Sequence, residues 1–315
     1  MYTRENYRLV KEEIEARRVS AISKADMRNA ELRSRSAEIK EIDAELSKTG
    51  LKLFHAACVG EDITPIQERN EELMKKRGEV ILALGLPKDY TEVHYTCPLC
   101  RDTGFVDTKM CSCFKELLLV KNIASSGMGK LIEKQSFDNF DISWYNTSEE
   151  ELARMQTNID IAKAYANTFG THSDNLLLIG KTGTGKTHIS TAIAKTVIGK
   201  GFSVLYDSAQ NIISDYENDR FKSGYGQYEP LAAKYTECEL LIIDDLGTEF
   251  ANQFTVSCLY NLINTRANRG LSTIISTNLS AEELAAKYEG RIYSRIVGSD
   301  YKVLFFQGKD HRIFR

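Results

Sequence analysis

The sequence predicts an α/β protein whose parallel sheet is flanked by helices and preceded by a helical hairpin and a small metal-binding module. Three observations point there. Apolar runs alternate with helical stretches beyond residue 175, residues 4 to 48 are dense in charge without proline or glycine, and four cysteines lie in two close pairs between these regions.

Composition sets the bounds. At 315 residues the chain is long enough for two modules, because single domains usually run roughly 100 to 200 residues. An apolar fraction of 42% suffices for buried cores, and no apolar run approaches the roughly 20 residues of a membrane-spanning helix. The opening Met1-Tyr2-Thr3-Arg4-Glu5-Asn6 leads into alternating charges instead of the apolar stretch of a secretion signal, so a cytoplasmic protein is expected. A formal charge of -3 excludes a broadly basic surface, and any nucleic-acid contact must come from local patches. In a reducing compartment, seven cysteines read as metal ligands or buried thiols before disulfides.

Residues 1–90 read as a helical, coiled-coil-like region. Tyr7, Val10 and Ile14, then Ile39, Ile42 and Leu46, are spaced to share one face of a helix running to about Lys48. Gly50 and Gly60 bracket an expected break. Thr64-Pro65-Ile66-Gln67 then starts a second helix, with Thr as the cap, proline in the first turn and glutamine reaching back. Ile66, Leu73 and Val80 line that helix, and Gly85-Leu86-Pro87 stops it, giving an antiparallel hairpin. A solvated spacer and a docking arm for another protein both fit this pattern.

In residues 91–120, Cys97-Pro98-Leu99-Cys100 and Cys111-Ser112-Cys113 offer thiolates in two pairs around a turn-rich loop. Four thiolates suit tetrahedral zinc, which replaces the core that so short a segment cannot build. A redox dithiol and unrelated buried thiols are the alternatives, and His94 is a substitute ligand. Cys58, Cys238 and Cys258 stand apart as core thiols.

Residues 121–170 read as a helical linker with a loop around 138–148, and residues 171–315 as the α/β domain. Its expected strands are Leu176-Leu177-Leu178-Ile179, Val204-Leu205-Tyr206, Leu240-Leu241-Ile242-Ile243, Thr273-Ile274-Ile275 and Val303-Leu304-Phe305-Phe306. Such continuous apolar strands indicate a parallel sheet covered on both faces.

The first strand runs into Gly180-Lys181-Thr182-Gly183-Thr184-Gly185-Lys186-Thr187, a full match to the phosphate-binding pattern G-x-x-x-x-G-K-T. Glycines let backbone amides turn inward around phosphate oxygens, and the following helix, opening with Thr187 and His188, directs its positive end at them. Lys186 neutralises the outer phosphates and Thr187 ligates magnesium. The third strand ends in Asp244-Asp245, at the sheet edge where ligands of doubly wound folds bind. Asp244 would hold the magnesium shell and Asp245 orient or deprotonate the attacking water. Asn278, ending the fourth strand, would hold that water. Ser280-Ala281-Glu282-Glu283 reads as a capping box on a helix carrying Arg291 and Arg295, either as helix-end charges or as donors to a neighbouring subunit's nucleotide.

With these parts in this order, residues 175 to 315 resemble the ATPase domain of the DnaC/IstB branch of AAA+ proteins, whose two-aspartate segment corresponds to Leu-Ile-Ile-Asp-Asp-Leu-Gly at 241 to 247. Helicase loaders of that group with an amino-terminal helicase-binding module resemble the whole chain, upstream cysteines included. The resemblance implies ATP and magnesium on a Walker A element at Gly180 to Thr187, a Walker B element at Asp244 and Asp245, and a first sensor at Asn278. It further implies an arginine finger at Arg295, in Arg291-Ile292-Tyr293-Ser294-Arg295-Ile296, and a second sensor at Arg312. The sequence departs from the wider superfamily in two ways. It stops at Arg315 without a helical lid, and its second Walker B acid is Asp245 where glutamate is common, which implies slow or partner-dependent hydrolysis.

The expected function is therefore ATP-dependent loading of the hexameric replicative DNA helicase onto single-stranded DNA, with self-association through the ATPase domain. A transposition helper ATPase of the same branch and a non-catalytic adaptor stapled by nucleotide and zinc are the rivals. Asn218-Asp219-Arg220-Phe221-Lys222-Ser223-Gly224-Tyr225 reads equally as a solvated loop or as a DNA-tracking one, with Lys181 and Lys234 as further basic candidates.

Overall fold

Long runs of good helix formers give long helices, and the amino-terminal region consists of little else. The computed structural model describes residues 4–145, 148–170, 174–222, 230–298, 300–308 and 310, with the side chains of Lys222, Glu289 and Arg291 excepted. The chain divides into two compact units, Leu9–Lys115 and Met1–Arg8 with Glu116–Arg315.

In the smaller unit, α1 (Arg4–Arg35) and α2 (Ala37–Val59) are separate helices. Ser36 is extended (φ -134°, ψ 114°) and its side chain accepts the Ile39 N–H at 3.3 Å, so it ends one helix and caps the next. The single helix expected to reach Lys48 is therefore two. Gly50 does not break α2, which continues to Val59. An internal glycine costs only about 1 kcal/mol relative to alanine, and helix formers surround this one. The stop comes at Gly60, whose φ of +81° supplies the left-handed cap.

Then α3 (Thr64–Ala83) begins after Ile63, with proline in its first turn. Thr64 is not the cap. Its N–H and hydroxyl both donate to Asp62 Oδ1, at 3.0 and 2.7 Å, so the aspartate two residues earlier sets the turn. The hairpin is α2 against α3, antiparallel, as the ion pairs Glu38–Lys76 (3.0 Å) and Glu45–Arg69 (2.8 Å) show. Leu32, Ile39 and Ile81 form its fully buried apolar centre. Beside them Asp43 accepts from Arg33 Nε and Arg77 Nε, both at 2.7 Å, and Arg77 also donates to Asn29 and Thr91. The unit closes with a two-stranded antiparallel hairpin, β1 (Phe105–Val106) and β2 (Lys109–Met110), and the start of α4 (Ser112–Ser125).

The larger unit continues through α5 (Leu131–Lys134), a 3-10 turn at Ile142–Tyr145 and α6 (Glu149–Thr168) to β3 (Asn175–Gly180), α7 (Lys186–Gly199), β4 (Val204–Ser208), α8 (Ala209–Lys222) and α9 (Ala233–Glu237). It ends with β5 (Leu240–Leu246), α10 (Gln253–Asn268), β6 (Ser272–Thr277), α11 (Ala281–Ile296) and β7 (Tyr301–Phe306). Among the described residues the sheet has five strands in the order β4-β5-β6-β3-β7, all parallel.

Alternate residues of each strand face opposite layers. Leu176, Leu178, Ile242, Ile274 and Leu304 meet α6 and α7. Leu177, Ile179, Leu241, Ile243 and Ile275 meet α8, α10 and α11. Two buried faces are why the strands read as unbroken apolar runs. The segment expected as a linker is part of this core: Met128, Ile132, Tyr145, Met155, Ile159, Ala162 and Ala166 are buried in the same layer. β3 and β6 are neighbours whose following helices, α7 and α11, lie on opposite faces of the sheet, which leaves a crevice at their carboxyl ends.

Candidate functional site

The loop after β3 is held open by glycine. Gly183 and Gly185 have φ of +77° and +89°, which side chains rarely adopt, and a Cβ on Gly185 would come within 2.5 Å of the Tyr145 hydroxyl. On the other side, Asp310 packs against Gly183, where a Cβ would meet its carboxylate at 1.8 Å. Thr184 closes the turn by donating to the Lys181 carbonyl at 2.8 Å, while its own carbonyl accepts the Tyr145 hydroxyl at 2.8 Å. Lys186 is the first residue of α7, and its side chain turns back over the loop that precedes the helix.

Lys186 is buried, and Nζ donates to the carbonyls of Gly180 (2.6 Å) and Lys181 (2.8 Å) and to Asn278 Oδ1 (2.7 Å). Asn278 in turn donates from Nδ2 to Asp245 Oδ1 at 3.2 Å. One amide thus links the loop lysine to the second acid. Asp245 has φ of +52°, just where the β5–β6 register slips between Ile243 and Leu246, and the bulge turns its side chain out of the sheet.

Asp244 stays within the sheet and is buried. Its Oδ2 accepts from Thr187 Oγ1 at 3.3 Å and from the Tyr206 hydroxyl, and its Oδ1 accepts from Ser276 Oγ. Ser276 Oγ also receives the Asp245 N–H at 3.0 Å. The expected residues Lys186, Thr187, Asp244, Asp245 and Asn278 therefore come together at one sheet edge.

A cavity of about 650 Å³ opens over the loop, lined by Thr182 to His188, Asp245 and Asn278. Its far wall was not anticipated from the sequence: Gln135, Asn139, Phe140, Trp144 and Tyr145. Phe140 stacks on Tyr145 at 5.8 Å between centroids and meets the edge of the His188 ring at 5.1 Å. His188 Nε2 lies 2.9 Å from the Ser136 carbonyl oxygen and 3.1 Å from Asn139 Oδ1, which ties α7 to this wall. A phosphate cradle beside a flat aromatic wall suits a ligand that is anionic at one end and planar at the other, and pockets of this size hold small organic ligands.

The remaining candidates lie elsewhere. Arg295 is in the last turn of α11, its guanidinium 5.5 Å from the Tyr260 ring centre. The predicted capping box at the other end of α11 is present, with Ser280 N donating to Glu283 Oε2 at 2.7 Å and Glu283 N to Ser280 Oγ at 3.2 Å. Arg312 lies outside the described residues, as do Ser223, Gly224 and Tyr225. Residues 218–222 belong to α8 and not to a loop. Phe221 is exposed there, and Arg220 stacks on Phe254 at 5.2 Å. Lys234 pairs with Asp215 at 2.8 Å.

In the smaller unit the sulfurs of Cys97, Cys100, Cys111 and Cys113 all lie within 4.8 Å of one another. Cys97 and Cys111 Sγ are 3.8 Å apart, and Cys100 and Cys113 Sγ 3.5 Å. A tetrahedron with metal–sulfur bonds of about 2.3 Å has edges of about 3.8 Å, so the donor set fits one ion. The turn between Cys97 and the hairpin is built by Arg101 and Asp102 at φ of +52° and +51°, with buried Asp102 accepting the N–H groups of Thr96 and Cys97 at 2.8 Å each. Gly104 is required because a Cβ would strike the Phe114 ring at 2.6 Å. His94 is outside the cluster, 3.9 Å from Asp89.

Sheet order, glycine loop and paired strand-tip acids define the class: a P-loop α/β nucleotide-binding protein. Residues 123–293 match the model of the IstB-like ATP binding protein family. The chain belongs to that family, the DnaC/IstB-like AAA+ ATPases.

It is similar to the replicative helicase loader DnaC of Escherichia coli (strain K12), 25% identical over 181 residues, which is 57% of this chain and 70% of the relative. The replicative helicase loader DnaC of Buchnera aphidicola subsp. Acyrthosiphon pisum (strain APS) is 23% identical over 198 residues, 63% of this chain and 77% of the relative. A crystal structure of the DnaC helicase loader superimposes with a TM-score of 0.48 at 20% identity, covering 57% of this chain and 100% of that one. No helix among the described residues is long and apolar enough to cross a membrane.

Proposed function

We propose that the protein is an ATPase that loads a replicative DNA helicase onto single-stranded DNA. The observation that carries the reading is the chain Lys186–Asn278–Asp245 beside Thr187–Asp244, all within one crevice. Family membership and the loader names of the curated relatives support the partner.

Lys186 and the amides of residues 180 to 187 hold the phosphates, while the aromatic wall at Phe140 and Trp144, backed by buried Tyr145, takes the base. Thr187 and Asp244 would hold magnesium, which when bound neutralises charge between the outer phosphates. Asp245 orients the attacking water and takes its proton, and Asn278 keeps Asp245 and Lys186 in register. Arg295 completes a neighbouring copy's site when the ATPase units associate. The four thiolates at 97 to 113 hold zinc in a structural role, and the helical region at 1–90 grips the helicase.

Phosphate release measured with the host's replicative helicase and single-stranded DNA, alongside the mass of the complex, tests this. The wild type should form the complex and hydrolyse ATP. Asp245→Asn should still bind nucleotide but turn over about a hundredfold more slowly. Equal turnover by the variant, or no complex with the helicase, overturns the reading. The rival named from the sequence, a transposition helper ATPase of the same branch, would be selected by capture of a transposase with duplex DNA.

A further inference from the structure

The contact between Tyr206 and Asp244 is absent from every motif read in the sequence. Tyr206 pairs with Ile242 and Ser208 with Asp244 across β4 and β5, so Tyr206 shares a sheet face with Asp244 but sits two residues behind it. Two residues along a strand is about 6.6 Å, a span that a phenol crosses and a serine or threonine does not. Ser276 approaches from β6 on the opposite side, and Thr187 from α7 above.

We propose that Tyr206 is a positioning residue that fixes the Asp244 carboxylate for a divalent cation on the nucleotide, an inference that rests on the nucleotide-binding reading above. The carboxylate has donors from both flanking strands, one on each oxygen. It is therefore held against rotation, and the remaining lone pair of Oδ2 is turned toward Thr187. Partners that orient a metal-binding side chain are typically worth about 10- to 100-fold in metal affinity.

The test is a calorimetric titration of the full chain with a non-hydrolysable ATP analogue, first in EDTA and then across magnesium concentrations. Tyr206→Phe keeps the ring and its packing while removing the hydroxyl. It should bind the analogue in EDTA as the wild type does, yet need about tenfold more magnesium for half of the metal-dependent gain. Ser208→Ala, at the register partner of Asp244 but with a hydroxyl that accepts the Asn211 N–H, should match the wild type in both. An unchanged magnesium requirement in Tyr206→Phe overturns the inference alone. Weakened binding in EDTA as well also overturns it, since it marks a merely structural tyrosine. If the wild type takes up no analogue under any condition, the nucleotide reading falls and this inference with it.

Discussion

The two units of this chain are held together in different ways. The α/β unit buries both faces of a five-stranded sheet under helices, and short apolar runs in its strands feed both layers. The helical unit has a fully buried apolar centre of Leu32, Ile39 and Ile81, and adds the Arg33–Asp43–Arg77 network and the four-thiol cluster. Small units bury too little surface to fold on apolar contacts alone, and they recruit metals or ionic networks instead. The comparison predicts that the same perturbation should act on one unit and spare the other.

Metal removal should give the largest contrast. Structural zinc sites, the role proposed for these four thiols, contribute on the order of 10 kcal/mol at neutral pH. A strong chelator, or Cys100→Ser, should therefore abolish hydrogen-exchange protection across residues 96–115 while leaving that of β3, β5 and β6 unchanged. Retained protection across 96–115 after the metal is shown to be gone would mean that the turn chemistry of Asp102 and Gly104 suffices by itself.

Truncations in the two apolar centres sharpen the contrast. Ile242→Ala, beneath two helices in the closed layer, should cost about 4 kcal/mol. Ile81→Ala should cost about 2 kcal/mol, because the small cluster it shares with Leu32 and Ile39 can close partly over the space. Denaturant melts followed by hydrogen exchange at each site would measure both, and equal costs would contradict the difference in packing.

The smallest effect concerns acid. Burial alone would raise the Asp43 pKa, but the hydrogen bonds from Arg33 and Arg77 outweigh it and the net shift is downward. A carboxylate lowered in the folded state adds stability that is complete above its ordinary value of 3.8 and is lost as pH falls through the folded value. Arg33 is half-exposed, so the contribution is discounted to about 1–2 kcal/mol. Asp43→Asn should therefore lower the stability of α2 and α3 at pH 7 and flatten its loss below pH 4. An unchanged acid limb would show that other carboxylates set it.

How much was legible differs between the same two regions. The strands and the phosphate loop could be read because a strand buried on both faces sets apolar residues side by side instead of in alternation. The loop's glycines are likewise demanded by backbone angles that other residues avoid. In the helical unit, local signals competed. Gly50 resembled a stop but was carried through by its neighbours, Ser36 resembled an ordinary helical residue but capped α2, and Thr64 resembled a cap while Asp62 supplied the acceptor.

By itself the sequence determined the order of elements, the alternation of the sheet, the phosphate loop, the strand-tip acids and the four thiols, because each depends on residues close together in the chain. Only the tertiary structure decided that residues 128 to 166 join the core and that Phe140 and Tyr145 face the loop. It alone brought Tyr206 and Ser276 to either side of Asp244 and let Asn278 bridge Lys186 to Asp245. Those pairings span dozens of residues, and what brings them together is the strand order, in which the sheet sets β4, β5, β6 and β3 side by side whatever their separation along the chain.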